Sequence, residues 1–187
     1  ELFDLADVNK APAFFDMKKL EHINGEYIRA LSTDELVDAL QPWVGEGAPW
    51  PAERFDPEVF ASVVPHVQER LRRLSDVGPL IDWLFVDAAP VETDEKEQAK
   101  IAKAMGRDEV PAVLDAVIGA LDTCEWTAEG LNHAVMDVGT QLDAKSQVPV
   151  RIAVTGRRVG LPLFEPMALL DRATVLARLH AARAALD

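Results

Sequence analysis

Pro149-Val150-Arg151-Ile152-Ala153-Val154-Thr155-Gly156-Arg157-Arg158-Val159-Gly160-Leu161-Pro162-Leu163-Phe164-Glu165 is the most informative stretch of the chain. It is apolar through Val154, breaks at Thr155-Gly156, and carries Arg151, Arg157 and Arg158 near the break. A compact Leu-Pro-Leu-Phe-Glu segment and a helical tail follow. This is a short rigid element, a glycine-released turn and a second short element, a corner that presents guanidinium donors and free backbone groups to one partner.

Outward from that corner, nearly every segment has helical spacing and almost none alternates as a strand does. Phe15 to Leu31 places Met17, Leu20, Ile23, Tyr27, Ile28 and Leu31 on one stripe. Ser32 with Glu35 forms a capping-box pattern that opens a helix running to Pro42. After a Gly- and Pro-rich loop holding Trp50, Asp56-Pro57-Glu58 starts a helix through Val59, Phe60, Val63, Val67, Leu71 and Leu74, with a kink expected at Pro65. Leu80 to Phe85 is expected to form a buried helix. A Lys-rich helix should end near Gly106, another begin at Asp108, and a third open at Thr127. Asp171 caps the tail. The expectation is an all-α protein of about nine helices in two bundles meeting near residues 87–107.

At 187 residues the chain allows one domain or two small ones, burying roughly 70% of the unfolded surface. Its longest apolar runs are too short for a bilayer, and Glu1 to Asp7 lacks the basic start of a signal peptide. Cys124 is the single cysteine and the four histidines form no ligand-spaced pairs, so no disulfide framework or metal site is expected and the chain reads as cytosolic. The net charge of −13 argues against a nucleic-acid partner, since phosphate binding rests on Lys and Arg. Its distribution reverses that argument locally. Residues 1–144 hold 12 basic and 29 acidic groups, whereas residues 145–187 hold 7 and 3. Arg172, Arg178 and Arg183 read as a solvated helix face; Arg151, Arg157 and Arg158 flank a turn and fit that reading less well.

Three regions resemble the bacterial-type glutamyl-tRNA synthetases. Asp7 to Leu20, continuing through Asn24 to Arg29, is similar to the family's V-N-K-S-P-A-x-F-D-x-K-K-L and N-x-x-Y-I patterns. Gln68 to Leu74 resembles its E-R-x-x-x-L helix. Pro149 to Glu165, with Ala168 to Leu170 and Leu176 to Leu179, resembles P-L-R-V-A-x-T-G, P-L-F-E, L-L-G and a closing R-L helix. Asp171 stands where the family has the Gly of L-L-G, and Arg172 where a lysine is often found. No HIGH-type tetrapeptide or KMSKS-type loop is present, so the resemblance implies the C-terminal, anticodon-binding piece of a longer, cytoplasmic ligase. The implied divisions are residues 1–31 (end of the stem-contact region), 32–106 and 107–187 (first and second anticodon-binding helical subdomains).

By that resemblance Arg151 contacts an anticodon base and the main chain of Leu163 contacts the same base. Arg70 corresponds to a helix arginine bearing on the third anticodon base, and Arg157 and Arg158 receive only general backbone or phosphate contact. The implied partner is tRNA(Glu), with tRNA(Gln) and a tRNA-dependent amidotransferase as further candidates, a monomeric state, and neither DNA nor a membrane. ATP and Mg²⁺ belong to the parent enzyme, with no cofactor in this piece. The acidity of residues 1–144 implies weak tRNA binding by the piece alone, mostly through the tail.

Two other readings of the residues stay open: a helical protein-interaction module without RNA binding, and an independent enzyme. Phe14, Phe15, Phe60, Phe85, Phe164, Trp43, Trp83 and Trp126 are expected in the core, and Trp50 against a neighbouring helix. Lys10, Lys18 and Lys19 read as solvated, Asp94, Glu95 and Glu97 as a polar connector, and Cys124 as a small buried residue.

Overall fold

Six helix starts follow local capping chemistry, whereas the helix expected at Asp108 begins at Val110 without a side-chain cap. The computed structural model describes residues 16–45 and 47–187. Phe14, Phe15, Lys10 and the first part of the N-terminal motif lie outside that range. Asp16 accepts the Lys19 N–H at 3.1 Å and opens α1, Met17–Ala30. The Ser32 hydroxyl accepts the Glu35 N–H while the Glu35 carboxylate accepts the Ser32 N–H at 2.8 Å, a complete capping box for α2, Thr33–Val44. Asp56 caps α3, Pro57–Gln68. The expected stop at Pro42 is not seen, since α2 runs through it to Val44, and Pro65 likewise lies inside α3. Each proline is exposed, and the residues four back, Asp38 and Ala61, are exposed too, so the unpaired carbonyls face solvent instead of the core.

Four expectations fail here. The helix of α1 forms, yet Met17, Leu20, Ile23 and Tyr27 remain between 41% and 73% exposed; only Ile28 of that stripe is buried. And α3 ends at Gln68, before Leu71 and Leu74, where the Gln68 side chain donates to the Ile28 and Leu31 carbonyls at 3.0 and 2.8 Å. That pair of bonds ties the end of α1 to α3. Beyond a 3-10 turn at Leu74–Asp76 come α4, Val77–Ile81, and a second 3-10 turn, Asp82–Leu84, so the buried segment expected as one helix is split. Trp50, Phe55, Phe60 and Phe85 form an aromatic cluster with centroids 5.0–6.2 Å apart. Trp50 is 7% exposed, whereas Trp43, expected in the core, is 47% exposed.

The remaining helices are α5, Glu95–Met105, α6, Val110–Thr123, α7, Ala128–Gln141, α8, Gln147–Thr155, α9, Phe164–Met167, and α10, Arg172–Ala184. Asp94, Thr127 and Asp171 cap α5, α7 and α10 as their positions predict. Among the described residues there is no strand, and the all-α expectation holds. α8 packs against α5, α6, α7 and α10. Pro149, Val150, Ile152, Ala153, Val154 and Thr155 are all buried. A helix enclosed on several sides needs apolar residues all round, which explains why this run lacks clear amphipathic spacing. The buried apolar side chains from Ile28 to Leu179 form one cluster.

Candidate nucleic-acid interface

The corner in the 149–165 stretch is the C-terminus of α8. Gly156 ends the helix in the left-handed region, φ 69°, with its N–H donating to the Ile152 carbonyl at 2.8 Å. A side chain is excluded there twice over: by that dihedral, and by the Pro90 carbonyl oxygen, into which a Cβ would project. The Thr155 hydroxyl donates to the Arg151 carbonyl at 2.8 Å and accepts the Arg157 N–H at 3.2 Å, bracing the turn from inside.

The arginines around this turn have separate fates. Arg157 makes a two-pronged ion pair with Asp82, at 2.7 and 2.6 Å, with both side chains largely shielded. Its guanidinium is therefore committed to the turn after α4, 75 residues away, and is not free for a phosphate. Arg158 lies 3.5 Å from the Glu97 carboxylate. Arg151 is half-buried and donates from Nη1 to the Leu161 carbonyl at 2.6 Å. That bond fixes the guanidinium across the 157–160 turn, next to Gly160.

Arg151 and Arg70 face one another electrostatically. Burial first, and the Arg70 cation second, hold the Arg151 pKa below the ordinary arginine value. Among the described residues neither has a carboxylate at ion-pair distance. Arg151 is thus held rigidly with a charge that no carboxylate offsets, and an anion or a polar base edge would relieve it. Leu163 is 2% exposed, so its side chain belongs to the core and only its main chain can meet a ligand. The structure thus places Arg151 against the Leu161 carbonyl, with Arg157 bracing the turn through Asp82.

Arginines of the tail that looked solvated are structural. Arg178 is 4% exposed; its Nη1 donates to the Val154 carbonyl at 2.8 Å, its Nε to the Asp87 carbonyl at 3.1 Å, and its Nη2 to the Val86 carbonyl. Burial lowers its pKa, and Asp87, Asp171 and Asp82 partly restore it. Arg172 donates to the Cys124 carbonyl at 2.6 Å and to the Asp122 carbonyl, and lies 5.1 Å from the Trp126 ring centre. Arg183 bonds Asp115 at 3.0 Å and Asp187 at 2.6 Å. No local signal marks these roles, because the acceptors are mostly backbone carbonyls of distant segments. Trp126 is half-buried with its indole N–H on the Leu170 carbonyl at 2.7 Å, and Cys124, also half-buried, has its thiol pKa raised by burial. Glu97 and Asp94 serve helix α5, the latter accepting the Glu97 N–H at 2.9 Å.

Among the described residues no group of His, Cys, Asp and Glu could hold a metal ion, and no helix is long and apolar enough to cross a membrane. A helical scaffold that rigidly presents an arginine and backbone groups at a helix corner defines a recognition module. Residues 35–183 match the family described as anticodon binding domain, and the chain belongs to that family. It is 50% identical over 187 residues to the glutamate–tRNA ligase of Thermobifida fusca, and 45% identical over 185 residues to that of Frankia casuarinae. Each comparison covers 97% of this chain and 38% of the relative, so the chain spans well under half the length of the curated relatives it matches. A solved glutamate tRNA ligase from Elizabethkingia meningosepticum superposes with a TM-score of 0.75, covering 99% of this chain and 36% of that one. At 19% identity that likeness bears on fold alone.

Proposed function

We propose that this chain is the anticodon-reading region of a glutamate–tRNA ligase and recognises tRNA(Glu), while the parent attaches glutamate using ATP and Mg²⁺ through residues outside it. The carrying observation is Arg151, fixed at the helix corner by its bond to the Leu161 carbonyl and without a carboxylate at ion-pair distance among the described residues. Unpaired anticodon bases expose edges and faces that such a corner can read, and a two-donor arginine contact to a base is worth about 1–3 kcal/mol of discrimination. Arg157 acts in this reading as a support of the turn through Asp82. The binding unit is a cytoplasmic monomer.

Titrating the chain with tRNA(Glu) and with the same tRNA carrying an altered anticodon tests the reading. Arg151→Ala should weaken tRNA(Glu) about tenfold, in line with one such contact, and leave the altered tRNA unaffected. Equal affinity of the parental chain for both tRNAs removes anticodon reading. tRNA(Gln) extends the reading as a second substrate of the parent, feeding a tRNA-dependent amidotransferase; failure of the intact parent to charge tRNA(Gln) removes that extension.

A further inference from the structure

A cavity of about 490 Å³ opens between the second half of α5, the start of α6 and the start of α8. Lys100, Lys103, Arg107, Lys145 and Arg158 line it, against the single lining carboxylate of Glu109. In a chain of net charge −13, five cations on one cavity are a concentrated exception. Lys100, Lys103 and Arg107 follow one another at three- and four-residue intervals and so share one face of α5 and its end.

The protein neutralises this cluster incompletely. Glu97 is shared by Lys100, at 2.6 Å, and Arg158, at 3.5 Å, and Glu109 lies 3.3 Å from Arg107. Lys103 and Lys145 have no carboxylate partner among the described residues. The Arg158 Nε is buried, and its N–H finds no acceptor among the described residues. A buried N–H without an acceptor is unfavourable, so the protein leaves Arg158 incompletely satisfied beside the cavity. A group with several oxygens and a full negative charge suits two lysine point charges and two guanidinium forks.

Position selects which anion this is. Arg158 belongs to the same 157–160 turn across which Arg151 reaches Gly160 and Leu161. A strand with one base at Arg151 carries its neighbouring phosphates past that turn. We infer that the cavity is a phosphate-backbone site, seating phosphodiester groups of the RNA strand next to the nucleotide met by Arg151. The inference rests on the anticodon reading proposed above for its choice of RNA, and adds Lys103, Lys145 and Arg158 as affinity determinants blind to sequence.

The test is a salt series of tRNA titrations on the full chain. Lys103→Gln and Lys145→Gln, both at exposed positions, should each reduce the slope of log K against log salt by about 1 and weaken cognate and anticodon-altered tRNA by the same factor. Lys96→Gln, exposed on α5 but outside the cavity, is the matched charge control and should leave the slope unchanged. Parental slopes in Lys103→Gln and Lys145→Gln, or an equal loss in Lys96→Gln, overturn the assignment, as does absence of tRNA binding at low salt. If the parental chain binds both tRNAs equally, anticodon reading fails while the slopes still decide the cavity. Inorganic tripolyphosphate separates the two phosphate sources. Its binding to the cavity, lost in Lys103→Gln, together with unaltered tRNA slopes, would make the occupant a free polyphosphate and overturn the RNA assignment.

Discussion

Arg178→Met removes one guanidinium that serves three backbone carbonyls. Val154 sits in the last turn of α8, where carbonyls have no intrahelical partner, and the Arg178 cation satisfies its carbonyl at 2.8 Å. The carbonyls of Val86 and Asp87 belong to the segment leading from the first helices to α5. Methionine keeps the apolar stem but supplies no donor. A hydrogen bond to a charged group contributes about 1.5–3 kcal/mol, and a buried acceptor left unmade costs about 1–3 kcal/mol. Val154 is fully buried, whereas Val86 is half-buried and Asp87 exposed, so water can recover the latter two in part. Relief of the buried charge offsets a further share. The net loss expected is about 3–4 kcal/mol, near the range for removing one partner of a buried charged pair. For a domain of this size that lowers Tm by about 10 °C.

Urea unfolding followed by far-UV circular dichroism measures this change as a fall in midpoint at constant m value. Arg178→Lys keeps the charge but not the planar fork, and should lose about half as much. A loss below about 1 kcal/mol for Arg178→Met, the scale of an ordinary surface change, would show that water replaces the guanidinium freely and that Arg178 is no clamp.

Two further outcomes follow from the same corner and its neighbour. Gly156→Ala should cost more than about 2 kcal/mol, since the left-handed dihedral alone costs about 1–2 kcal/mol and the Pro90 carbonyl must also move. Gly119→Ala in α6, where a Cβ meets nothing within 4 Å, should instead be neutral or stabilising by up to about 1 kcal/mol; equal urea midpoints for the two would refute the argument. Asp171 has its pKa lowered by the Thr174 hydroxyl and then the Thr174 N–H. Its contribution is therefore fully present above the unfolded-chain value of about 3.9 and fades as pH falls through the lowered folded value. Asp171→Asn, which still caps but cannot titrate, should show a shallower loss of stability on acidification than the parental chain; identical acid limbs would refute it.

Helix beginnings were readable because a cap and its acceptor lie within three residues. Ser32 with Glu35, Asp56 with Pro57, Thr127 and Asp171 all sit at the starts where the structure has them. Helix ends were less readable. α3 stops at Gln68, whose side chain bonds carbonyls 37 and 40 residues earlier, and no local pattern announces that contact. The fate of each aromatic was equally non-local. Trp50 packs inward as expected, over Phe55 and Phe85, but which side chains it meets was not visible, while Trp43, expected in the core, faces outward.

The candidate site divides along the same line. Arg151 and the glycine break were visible as a motif, because a left-handed helix end needs glycine and an arginine fork is a recognisable donor. Its setting, half-buried with a donor on the Leu161 carbonyl, required α8 to be packed among α5, α6, α7 and α10 before the side chain could be held there. Likewise Arg157 and Arg158 differ by one position and share a chemistry, yet one is locked to Asp82 and the other lines an open basic cavity. The chain alone determined its helical class, its caps and which residues could donate; tertiary packing decided which donors were left without a partner. Capping and periodicity act over a few residues, whereas a charge finds its counter-ion through space, wherever the folded backbone happens to bring one.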